Sequence, residues 1–162
     1  MRKEICFDMD GTLANLYGVE NWLKMLRSFD PTPYEIAKPL INMSALARLL
    51  HKAQRLGYTI KVISWLSLES TEEYDLAVTT AKIEWLRAHL PSVEFDEIII
   101  TEYGVPKHEL GEGILFDDNA DIRKEWGAKA YEPSEILAVL RELGEKKEPF
   151  VIKSPGYMKA SF

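Results

Sequence analysis

Five short runs of apolar and β-branched residues punctuate the chain, at residues 3–8, 59–64, 97–101, 113–117 and 128–131. Most are nearly continuous in apolar character rather than alternating. That pattern predicts strands buried on both faces, as in a parallel sheet. Between them the spacing becomes helical. Met43–Arg55 places Leu46, Leu49, Leu50 and Ala53 on one stripe, and Gly57 stops it. Residues 71–90 carry Leu76, Ile83, Leu86 and Leu90, with Glu72 and Glu73 in the first turn and Pro91 beyond the end. A third helix at 134–143 lies between Pro133 and Gly144, and a short one at 119–126 follows the fourth strand. Strand and helix alternate, which predicts an α/β fold with a doubly wound parallel sheet.

One interval breaks the rhythm. Residues 11 to 58 separate the first two strands, whereas a crossover needs only about a dozen residues. The helix Met43–Arg55 can serve as the crossover, which leaves residues 13–39 over. They contain Tyr17, Trp22, Leu23, Leu26, Phe29 and Tyr34, interrupted by Pro31, Pro33 and Pro39. This predicts a small, mostly helical insertion over the carboxyl edge of the sheet. The expected organisation is one domain over residues 1–144 carrying that insertion, with an unassigned tail at 145–162.

Composition narrows the function. With 162 residues the chain can bury a real core. The formal charge of −6 argues against a wide basic face for duplex nucleic acid. It leaves small anionic substrates open, since a metal and a few local lysines can offset a phosphate. No apolar run approaches the roughly 20 residues that span a bilayer. Residues 1–4 lead straight into a strand without the apolar region of a signal peptide. The single cysteine, Cys6, suits a reducing compartment, so a cytoplasmic protein is expected.

The chemistry concentrates at two strand ends. Asp8 and Asp10 close the first strand, and side chains two apart on a strand point the same way, so both carboxylates can face one crevice. In open α/β sheets ligands bind in the crevice beyond the carboxyl ends of the strands. Gly11 then allows a sharp turn. A turn or helix cap could use one such aspartate, but not two at the end of an apolar strand. A second cluster, Asp117, Asp118 and Asp121, ends the fourth run. If the two clusters meet, carboxylate repulsion raises some of their pKa values unless a cation neutralises them. Hard oxygen ligands of this kind suit Mg²⁺, which bridges to substrate phosphate. One of the three acids could instead cap the helix at 119–126, and Asp121 could be a solvated helix residue.

These residues resemble the four motifs of the haloacid dehalogenase-like phosphohydrolases. Phe7-Asp8-Met9-Asp10-Gly11-Thr12-Leu13 resembles the first motif, Ser64 the second-motif hydroxyl, Lys107 the third-motif lysine and Leu115-Phe116-Asp117-Asp118 the acidic fourth motif. They come in the family's order, between residues 5 and 121. Lys107 is preferred to Lys82 as the third-motif residue because Lys82 falls inside a helix, away from any strand end. The resemblance implies a five-stranded sheet in the order 3-2-1-4-5 and two-step phosphoryl transfer. Asp8 is then the nucleophile and Asp10 the acid and base. Ser64, Lys107 and the turn Gly11-Thr12 contact the phosphoryl group. Mg²⁺ is held by the Asp8 carboxylate, the Asp10 carbonyl and Asp117 or Asp118. The fourth motif fits both a paired form, Asp117-Asp118, and a form with acids four apart, Asp117 and Asp121.

The chain is also similar to small 5′-nucleotidase and deoxyribonucleotidase members of that family. This implies a mononucleotide substrate, for which Tyr17, Trp22, Tyr34 and Trp65 are candidate stacking residues. Each of these could equally pack the insertion onto the core. Sugar phosphates and a phosphorylated nucleic-acid end are the alternatives. A different class, a non-catalytic binding module using Phe150, Tyr157 and Phe162 of the tail, would have no chemical need for both Asp8 and Asp10.

Overall fold

The computed structural model describes residues 3–145. Within them five strands form one sheet: β1 (Glu4–Phe7), β2 (Thr59–Trp65), β3 (Glu97–Thr101), β4 (Ile114–Phe116) and β5 (Ala130–Tyr131). All pairings are parallel and the order is β3-β2-β1-β4-β5, as expected from the pattern and the resemblance. Every residue of β1 is buried, which accounts for the apolar run of Ile5, Cys6 and Phe7. The chain winds from β1 outward through β2 to β3, then returns to the other side of β1 for β4 and β5. The winding direction therefore reverses between β1 and β4, and this is where an open α/β sheet forms its crevice.

Six helices accompany the strands: α1 (Trp22–Arg27), α2 (Thr32–Ile36), α3 (Met43–Arg55), α4 (Glu72–His89), α5 (Ala120–Trp126) and α6 (Ile136–Glu145). One sheet face packs Ile5, Phe7, Ile60, Val62, Ile114 and Phe116 against Leu46 and Leu50 of α3, Trp85 and Leu86 of α4, and Ile136 and Leu140 of α6. On the other face Cys6, Ile63 and Leu115 meet Ile122 of α5. Helix starts follow the caps the sequence offers. Asn42 accepts from Ala45 N at 2.9 Å and Thr71 accepts from Tyr74 N at 3.1 Å. After α3, Gly57 takes a φ of +93°, a conformation that L side chains rarely adopt.

The α4 stripe differs from the expected one. Its buried face is Tyr74, Val78, Ala81, Lys82, Trp85 and Leu86, while Leu76 is 69% exposed. Leu86 and Leu90 of the expected stripe are buried and Ile83 is half-buried, so Leu76 alone falls outside the inner face, which contains a lysine. The interval between β1 and α3 holds a 3-10 turn at Leu16–Gly18, then α1 and α2. Its ends lie side by side, since Asn15 N donates to Lys38 O at 2.8 Å and Leu40 N to Leu13 O at 2.9 Å. It rests on α4 through Leu16, Tyr34, Tyr74, Val78 and Ala81. No helix among the described residues is long and apolar enough to cross a membrane. Phe150, Tyr157 and Phe162 of the tail lie outside the described residues.

Candidate active site

The turn after β1 builds the site. Asp8 N donates to Phe116 O at 2.9 Å, which carries the β1–β4 pairing one residue past the strand. The Met9 carbonyl then collects the N–H groups of Thr12, Leu13 and Ala14 at 2.9–3.1 Å. Met9 is buried in the core while Asp8 and Asp10 both line a cavity of about 330 Å³ beyond the strand ends. Gly11 turns the chain with φ +80°. A Cβ there would collide with the Asp118 carboxylate, so the turn needs glycine both for its backbone conformation and for the approach of Asp118.

The two acidic strand ends do meet. Carboxylate oxygens of Asp8, Asp117 and Asp118 lie within 4.8 Å of one another. Lys107 bridges two of them, donating to Asp8 Oδ1 at 2.9 Å and Asp117 Oδ2 at 2.7 Å. The other oxygen of Asp8 accepts from the Thr12 hydroxyl at 2.9 Å. Burial would lower the Lys107 ammonium, but the charges of Asp8 and Asp117 outweigh it and hold the lysine protonated above its ordinary range. Burial and the neighbouring Asp8 charge push the Asp117 carboxyl upward. Desolvation and Asp8 raise Asp118 to about 7, helped by a hydrogen bond with Asp8. Burial, opposed by Lys82 and reinforced by Asp8, also raises Asp10. Carboxyl groups held this close favour protonation unless a cation joins them. Three hard oxygen donors converging on one point, with an excess of negative charge, fit a divalent cation such as Mg²⁺.

Of the two readings of the fourth motif, this geometry brings in the adjacent pair. Asp121 is exposed on α5 and takes no part in the carboxylate group. The cap of α5 is Asn119, whose side chain accepts from Asp121 N and Ile122 N. Asp117 Oδ1 accepts from Asn119 N at 2.9 Å, which fixes the carboxylate's rotation.

The remaining candidates divide. Tyr17, Trp22, Tyr34, Trp65 and Lys107 line the cavity together with Tyr103. Tyr17 meets Trp22 edge-on, with centroids 4.9 Å apart, and Trp65 meets Tyr103 at 5.0 Å. Trp65 is held by Nε1 donating to Val105 O at 2.8 Å. Tyr34 is 7% exposed and belongs chiefly to the packing between the insertion and α4. Gly11, Thr12 and Ser64 are not among the lining residues. Thr12 is fully buried and Ser64 is 1% exposed.

The expectation that Lys82 lies away from any strand end is corrected here, while Lys107 keeps the contacts with Asp8 and Asp117. Although Lys82 lies mid-helix, its ammonium reaches the strand ends. It donates to Asp10 Oδ2 at 3.0 Å, Ser64 Oγ at 2.7 Å and Trp65 O at 2.9 Å. The spacing Tyr74, Val78, Ala81 and Trp85 defines a helical face that includes position 82, and that signal could have found it. Cys6, by contrast, is chemically quiet, because burial and Glu4 push its thiol up to about 12.

No protein-family model matches the chain, and no curated protein matches it. Among solved structures it is similar to D,D-heptose 1,7-bisphosphate phosphatase from Burkholderia thailandensis, with a TM-score of 0.54 and 11% identity over 90% of this chain and 100% of that one. A target protein from Vibrio cholerae aligns with a TM-score of 0.48 and 20% identity over 90% and 98% of the two chains. The first likeness shows that this five-stranded parallel α/β fold is shared with that protein.

Proposed function

We propose that the chain is a metal-dependent phosphomonoesterase that works through an aspartyl-phosphate, with a mononucleotide as its substrate. The observation that carries this reading is the convergence of Asp8, Asp117 and Asp118 with Lys107 at the β1–β4 switch point, beside a second acid, Asp10, at the same cavity.

Asp8 is the nucleophile. Thr12 and Lys107 hold its two oxygens, so the carboxylate presents one orientation to the cavity. Its attack on phosphorus breaks the bond to the ester oxygen, which leaves with a proton from Asp10. Asp10 then takes a proton from the water that cleaves the acyl phosphate. Lys107 faces the cavity and has a hydrogen to spare beyond its two aspartate contacts, so it can meet a phosphoryl oxygen. Asp8, Asp117 or Asp118, and the Asp10 carbonyl would hold Mg²⁺, which supplies positive charge to the transferring group. Ser64, which the family resemblance makes a phosphoryl contact, is buried and already accepts from Lys82, so its part in the resting site is to anchor that lysine.

A nucleotide is supported by the aromatic residues that line the cavity, the pair Tyr17 and Trp22 and the pair Trp65 and Tyr103. The test is a phosphate-release screen over ribonucleotides, deoxynucleotides and sugar phosphates with and without Mg²⁺. Preference for a nucleotide supports the full reading. Preference for a sugar phosphate keeps the phosphatase and removes the nucleotide. Failure to hydrolyse even p-nitrophenyl phosphate with Mg²⁺ would sink the enzyme assignment in favour of a binding module.

A further inference from the structure

Two lysines reach the site, and they are placed differently. Lys107 lines the cavity, whereas Lys82 does not. Lys82 is 1% exposed, and its three hydrogens are matched by three acceptors: Asp10 Oδ2, Ser64 Oγ and the Trp65 carbonyl. The ring of Tyr34 lies 5.3 Å from the same ammonium and covers a further side. A lysine so enclosed has no donor left for a substrate. Burying an ammonium is costly, and a helix residue facing the core would ordinarily be apolar. The charge therefore needs a reason, and among the described residues the ammonium has one charged partner, Asp10.

We infer that Lys82 is a positioning residue for proton transfer: it fixes Asp10 by one carboxylate oxygen and leaves the other to carry the proton. This rests on the proposed phosphatase reading. Lys82 takes Oδ2, while Oδ1 has no hydrogen-bond partner among the described residues and Asp10 still lines the cavity. In the first step Asp8 forms a bond to phosphorus as the phosphorus–ester oxygen bond breaks. The bonding pair stays on the ester oxygen, and that oxygen receives the Asp10 proton and departs as an alcohol. Ser64 and Trp65 tie the lysine to the end of β2, so Asp10 is referenced to the rigid sheet as well as to its own turn.

The inference predicts a dependence on the leaving group. An alkyl alcohol leaves poorly without a proton, whereas p-nitrophenolate needs none. The value of kcat/KM reports steps up to formation of the acyl phosphate, so it isolates this event. Lys82→Met should lower kcat/KM for an alkyl ester such as β-glycerophosphate by about 30-fold or more, with a loss several-fold smaller for p-nitrophenyl phosphate. Equal losses on the two esters, or no loss on either, overturn the inference. Because Lys82→Met strands the Asp10 carboxylate and can weaken the fold, the same comparison is made with Asp10→Asn. Adding Lys82→Met to Asp10→Asn should change kcat/KM by less than about twofold, since a positioning residue has nothing left to position. A further large loss in that double variant overturns the inference. If the wild-type protein releases phosphate from neither ester, the phosphatase reading itself fails, an outcome distinct from equal losses in the variant.

Discussion

Each end of the sheet buries charge, and the two ends balance it differently. Toward the amino ends of the strands, Lys61 lies 2.6 Å from Glu4 and 3.7 Å from Glu97, and Glu4 also accepts from Glu112 N at 2.9 Å. Those groups satisfy one another. At the carboxyl ends Lys107 is shared by Asp8 and Asp117, Lys82 is spent on Asp10, and Asp118 has no ion pair among the described residues. Negative charge is left over there and faces a cavity. Such an excess opposes folding, because like charges are held close together around buried Asp8 and Asp117. A closed pair reads as architecture, and an unbalanced cluster with raised carboxyl pKa values is what supports the proposed cation and substrate site.

The contrast breaks most sharply at Asp8, the proposed nucleophile. Asp8→Asn should reduce turnover by on the order of a thousandfold or more while leaving the protein folded. Phosphate release near the wild-type rate would remove Asp8 from its role. The two bridging lysines should then separate. Lys107→Met is expected to lower kcat/KM about a hundredfold. Lys61→Met should leave kcat/KM intact and lower unfolding stability by about 1–3 kcal/mol, since it strands Glu4. Chemical denaturation and steady-state kinetics on both variants check the pair. If Lys61→Met disables the enzyme and Lys107→Met does not, the division between the two ends is wrong.

Mg²⁺ sharpens the same comparison through pH. Asp118 is raised from 3.8 to about 7, and Asp117 and Asp10 are raised as well. The folded protein therefore holds these protons more tightly than the unfolded chain. Metal-free stability from these groups is fully present at low pH and is lost as pH rises from about 4 through about 7. Cation binding must displace the proton, so Mg²⁺ should raise Tm more at pH 8 than at pH 5. Equal shifts at both values would separate the cation from this carboxylate group. The smallest expected effect lies at the rim. Trp22→Ala should raise KM for the preferred mononucleotide about tenfold and leave β-glycerophosphate nearly unaffected. Equal effects on both would return Trp22 to packing alone.

Much of this was legible in the residues. The continuous apolar runs marked all five strands, because strands covered on both faces tolerate no alternation. Gly57 bounded α3 where its local chemistry predicts. Asp8, Asp10 and the Asp117-Asp118 pair were visible because acids at the end of an apolar strand are conspicuous in one dimension. Lys82 was not. Its helix reads as having an apolar stripe through Leu76, and a lysine within a helix reads as solvated surface.

By itself, then, the sequence determined the parallel sheet, its strands and the acids at two strand ends, since these follow from local pattern and residue type. Only the tertiary structure decided which charges meet. It placed Lys107 between Asp8 and Asp117, turned α4 so that Lys82 faces inward beneath Asp10 and Ser64, and left Asp121 in solvent while bringing Asp118 to Asp8. The reason is physical. An ion pair between residues 72 positions apart depends on how a helix is rotated on a sheet, and that rotation is set by the packing of Tyr74, Val78 and Trp85 against groups far away in the chain.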